Sequence, residues 1–108
     1  MDIHAEITGG VCGLVTKVDA ASPDGLSVRL EIESDCPQIR ALAADIDSLD
    51  ALTEILCKPM VETTPALLAV KHKLHVTCVV PIGILKAVEA AAGLALPSTA
   101  GVKLDRVE

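Results

Sequence analysis

Four cysteines are the residues of this chain best suited to chemistry: Cys12, Cys36, Cys57 and Cys78 in 108 residues. The motif positions are informative. Cys12 sits in a glycine-bounded corner, Gly9-Gly10-Val11-Cys12-Gly13. Cys36 stands directly before Pro37, and Cys78 three residues before Pro81. Cys57 lies two residues before Pro59. Proline favours the first turn of a helix, so Cys36 and Cys78 fall near expected helix N-termini. There the partial positive charge and free N–H groups favour the thiolate, the form that binds metal or attacks sulfur. The alternative role of each cysteine is that of a small buried apolar residue. The long intervals between them lack the specificity of a paired C-x-x-C motif.

The elements that must position these thiols are legible in outline. Residues 2–8 alternate apolar and polar, with Ile3, Ala5 and Ile7 on one face, the period of a half-buried strand. Gly9 and Gly10 break the pattern, and no helix follows them to make a phosphate cradle. Residues 14–20 and 26–34 alternate again, Leu26, Val28, Leu30 and Ile32 sharing a side, with the turn Ser22-Pro23-Asp24-Gly25 between them. From Pro37 the period becomes helical through Ile39, Leu42, Ala43 and Ile46. Ser48 is the expected cap of a second helix carrying Leu49, Leu52, Ile55 and Leu56, ended by Pro59. A third helix starts at Thr64-Pro65. A fourth runs from Pro81 to Gly93, with Ile84, Leu85, Val88 and Ala92 on one face. The expected fold class is α+β, a three-stranded antiparallel meander followed by about four helices packed on one face, in a single domain over residues 1–108.

Composition narrows the functions. The formal charge is −6, which disfavours nucleic acid and anionic membrane as partners. The absence of Phe, Tyr and Trp removes any stacking platform for bases. No signal-peptide pattern or stretch of 18 apolar residues occurs, and the expected location is cytoplasmic. That compartment is reducing, which makes the cysteines thiols rather than structural disulfides. No catalytic constellation stands out, and a non-enzymatic role is favoured. His4 and His72 are expected at the surface, and Lys86 and Glu89 as a solvated pair.

The run CGLVTKVDAASPDGLSVRLEIESDCPQIRALAADIDSLDALTEIL, followed by KLHVTCVVPIGILKAVEAAAG, resembles the U-type iron–sulfur cluster scaffold family, the N-terminal domain type of NifU. The opening TGGVC at residues 8–12 is similar to the related cysteine-rich TSCPD-type domain of some ribonucleotide reductases. The resemblance implies that Cys12, Cys36 and Cys78 converge at one end of the fold, where they bind a [2Fe–2S] cluster or, in its place, zinc. It differs from that family in carrying Leu14 where the family has Asp after the first cysteine, and Thr77 where it has His before the third. The fourth ligand is left to Cys57 or His75, with Cys57 the preferred donor. The implied function is a cysteine-ligated metal or iron–sulfur cluster protein of the scaffold or carrier type, acting as a monomer or homodimer with a cysteine desulfurase or a client apoprotein as partner. The alternatives are a persulfide-accepting sulfur-transfer protein, or an interaction module that keeps the fold and binds neither cofactor.

Overall fold

A computed structural model of the chain describes residues 1–107. It is α+β. Strands β1 (Asp2–Thr8), β2 (Val15–Ala21) and β3 (Ser27–Ser34) form the antiparallel meander, and a short fourth strand, β4 (Ser48–Asp50), pairs with β3. The helices are α1 (Pro37–Ala44), α2 (Thr64–Lys71) and α3 (Val80–Ala91), with single helical turns at Gly10–Cys12, Thr53–Cys57 and Met60–Glu62.

Side-chain alternation sends Ile7, Val18, Ala20, Val28 and Leu30 to one face of the sheet, where all are buried. On that face α3 lays the stripe Val80, Ile84, Ala87, Val88 and Ala91, the spacing of one apolar helix face. Ile39 and Leu42 of α1 complete the core. With no aromatic ring to fill space, close approach replaces bulk: Gly83 lies so near Ile7 that a Cβ there would collide with the isoleucine side chain.

The direction of α3 across the sheet follows from its two ends. Gly83, in its first turn, rests on Ile7, whose register partner is Thr16. Its last turn brings the Ala92 carbonyl beside Gly25, in the turn between β2 and β3. Helix α3 therefore begins over the β1–β2 corner and ends over the β2–β3 turn.

Three details differ from the sequence pattern. Ser48 does not cap a helix; it opens β4, in register with Arg29. Asp47 O accepts from Leu30 N–H, and Ala51 N–H donates to Leu26 O, so the backbone of residues 47–51 is taken up by the sheet. The helical stretch expected there is confined to residues after β4 and widens to a π-turn, with Leu52 and Leu56 exposed. Leu26 precedes β3 and is half exposed rather than part of the inner face. His72 is only 18% exposed at its side chain, with Nε2 2.6 Å from Asp45 Oδ2; Lys71 reaches the same oxygen at 2.9 Å. The end of α2 is thereby tied to the end of α1, and the hydrogen bonds that Asp45 accepts from Lys71 and His72 hold its carboxyl below the usual aspartate range, Lys71 contributing most.

Candidate functional site

The β1–β2 corner is built around the Cys12 thiol. Gly10 and Gly13 adopt φ of +75° and +70°, a region open to glycine at little cost. A Cβ on Gly9 would strike Cys12 Sγ. Three glycines are thus needed to turn the chain and to seat one sulfur. Val11 projects wholly into solvent at the tip.

Cys36 is the N-cap residue of α1. Its N–H donates to Ser34 Oγ at 3.1 Å, and that hydroxyl pairs with Thr16 Oγ1 at 2.8 Å. Thr16 is 2% exposed on β2, four residues beyond Cys12, so one small polar network joins the start of α1 to the strand that leaves the Cys12 corner. The Cys36 thiol donates to Gln38 Oε1 at 3.4 Å, and the residue is half-buried against the core.

Cys78 precedes α3 by two residues and is likewise half-buried against the core. Its N–H donates to His75 O at 3.1 Å, closing a turn that keeps His75 and Cys78 within about 7 Å at their Cα atoms. His75 is exposed and makes no side-chain hydrogen bond among the described residues. The other two imidazoles are engaged: His72 by Asp45, and His4 by Asp19 at 2.7 Å. The hydrogen bond that Asp19 accepts holds the His4 imidazole above its ordinary range.

The register places these pieces relative to one another. Thr8 pairs with Val15, and Thr16 with Ser34; hence the end of β1, the start of β2 and the end of β3 share one end of the sheet. Cys12 and Cys36 leave from that end, and α3 begins above it with Cys78 just ahead.

Cys57 belongs elsewhere. Ala51 is bonded to Leu26, at the opposite end of β3, and six residues of helix carry the chain at most about 9 Å from there. Ser34 stands eight strand residues from Leu26, roughly 26 Å. Cys57 is therefore separated from the end that holds the other three. Among the described residues, no group of three or more His, Cys, Asp or Glu side chains already stands in metal-holding geometry.

A family model described as a family of unknown function (DUF6951) matches residues 3–104. The chain belongs to that family. No curated protein and no solved structure matches it. The match takes in all four cysteines of this DUF6951 chain and, apart from Asp2 at the start of β1, its strands and helices among the described residues. No helix among the described residues is long and apolar enough to cross a membrane.

The family resemblance, not the spacing of the cysteines along the chain, singled out Cys12, Cys36 and Cys78 as one set. It did not separate Cys57 from His75. That distinction depends on which end of the sheet a segment leaves, and the sheet order is set by β4.

Proposed function

We propose that this chain is a cytoplasmic, non-enzymatic carrier of a metal ion or [2Fe–2S] cluster, held by Cys12, Cys36 and Cys78 with His75 as the fourth donor. The observation that carries this reading is the gathering of three loop-borne thiols at one end of the sheet. Three thiolates and an imidazole suit zinc and iron–sulfur iron alike. Cys36 is fixed by the Thr16–Ser34 network, while Cys12 and Cys78 stand on connecting segments. Binding therefore requires those segments to move toward Cys36. His75 is favoured over Cys57 because it shares a turn with Cys78 and, among the described residues, its side chain has no competing hydrogen-bond partner. A cysteine desulfurase or a client apoprotein is the matching partner class for such a carrier.

The test is anaerobic reconstitution with iron and sulfide, or with Zn(II), followed by metal and sulfide analysis and a visible spectrum. Wild type and Cys57→Ser are expected to load stoichiometrically, while Cys36→Ser and Cys78→Ser lose that loading. A wild-type chain that stays colourless and metal-free in both reconstitutions would sink the proposal.

A further inference from the structure

The segment from Leu52 to Val70 exposes six large apolar side chains: Leu52, Leu56, Met60, Val61, Leu67 and Val70, each between 38% and 78% exposed. They lie on adjoining pieces of structure. Leu52 and Leu56 are four apart on one helical segment, and Leu67 and Val70 three apart on α2, spacings that put each pair on a common face. Met60 and Val61 lie in the turn that joins the two pieces, and Glu54 fastens them together by accepting from the Thr64 N–H and hydroxyl. At roughly 100 Å² of exposed side chain apiece, the six present on the order of 600 Å², the upper end of the range for the largest apolar patch on a monomer.

We infer that this face pairs with the same face of a second copy, α2 running antiparallel to its mate about a twofold axis. A twofold pairing buries about 1,200 Å² in total, the lower bound for a specific interface. Charge favours the same arrangement. Two copies of a chain with formal charge −6 repel over most of their surface. Within residues 52–70 the charges are Glu54, Lys58 and Glu62, and the first two neutralise each other at 2.9 Å. Glu62 remains, just before α2, and Lys73 stands just beyond its other end. Antiparallel pairing sets Glu62 of each copy opposite Lys73 of the other, twice over.

Sedimentation equilibrium of the full chain is the test. The expected result is twice the chain mass for wild type, with dimerisation weakened at least about tenfold in Leu67→Glu and Val70→Glu, since each buries an unpaired carboxylate. Both residues are exposed in the single chain, and circular dichroism would show that the variants keep its fold. Val102→Glu, equally exposed but in the C-terminal tail, is expected to leave the dimer intact. Glu62→Lys and Lys73→Glu each weaken association, and the double variant recovers it. A monomeric wild type overturns the inference, as does a dimer untouched by Leu67→Glu and Val70→Glu, one broken by Val102→Glu, or a double variant without recovery.

Discussion

Ile84→Ala is expected to destabilise the chain by about 3 kcal/mol, in the middle of the range for truncating a fully buried isoleucine. Ile84 is 0% exposed and sits at the centre of the α3 stripe over the sheet. Around it on α3, Gly83, Ala87 and Ala91 are too small to swing into the space it leaves, Val80 and Val88 are β-branched and stiff at χ1, and no aromatic ring is available to do so. The cavity therefore persists, and its cost adds to the lost transfer energy of the side chain. In a domain of this size that corresponds to a fall in Tm of roughly 15 °C. Leu85→Ala, one position along and half-buried, is the comparison; it is expected to cost about 1 kcal/mol. Urea unfolding of the three proteins measures both values, and equal midpoints for the two variants would contradict the placement of α3.

Removing the Glu54 carboxylate is the second large effect. The residue is 5% exposed, accepts from Lys58 Nζ at 2.9 Å and from Thr64 N–H at 2.8 Å, and also takes the Thr64 hydroxyl. It thus satisfies a free N–H at the first turn of α2 while pairing with a half-buried ammonium. Glu54→Ala is expected to cost about 2–3 kcal/mol, because a donor is left unmade and Lys58 loses its counter-charge. Glu54→Gln, which keeps an acceptor, costs less. The pH dependence has a definite sign. Burial pushes the Glu54 carboxyl upward, but Lys58 and Thr64 together outweigh it and hold the group below its ordinary value of 4.5. A lowered folded-state pKa stabilises fully above the unfolded value and is lost as the pH falls through the folded one. Wild type should therefore lose stability below about pH 4.5 more steeply than Glu54→Ala, as acid titrations of the unfolding midpoint would show.

Most of the framework was legible because its signals are repeated. Ile3, Ala5 and Ile7 mark β1 by alternation, Val28, Leu30 and Ile32 mark β3, and Pro37, Pro65 and Pro81 each stand in the first turn of a helix. Strand β4 was not legible. Its three residues hold one inward side chain, Leu49, and a period of two cannot show itself in a single repeat. Its existence depends on the free edge of β3, a partner twenty residues away. The same long-range pairing decides where the following helix starts, hence where Cys57 lies. The Cys12 corner could be read from its glycines as a tight turn, but not that Gly9 makes room for the sulfur. His72 looked like an ordinary surface histidine because its partner, Asp45, is distant in the chain and is brought to it only when α1 and α2 pack.

The proposed carrier function depends on which thiols act together. The most direct measurement is an alkylation footprint of all four cysteines, read by peptide mass spectrometry, before and after loading the folded chain with Zn(II). Protection of Cys12, Cys36 and Cys78 on loading, with Cys57 alkylated at an unchanged rate, is the predicted result. Protection that includes Cys57, or no protection of the other three, would contradict it.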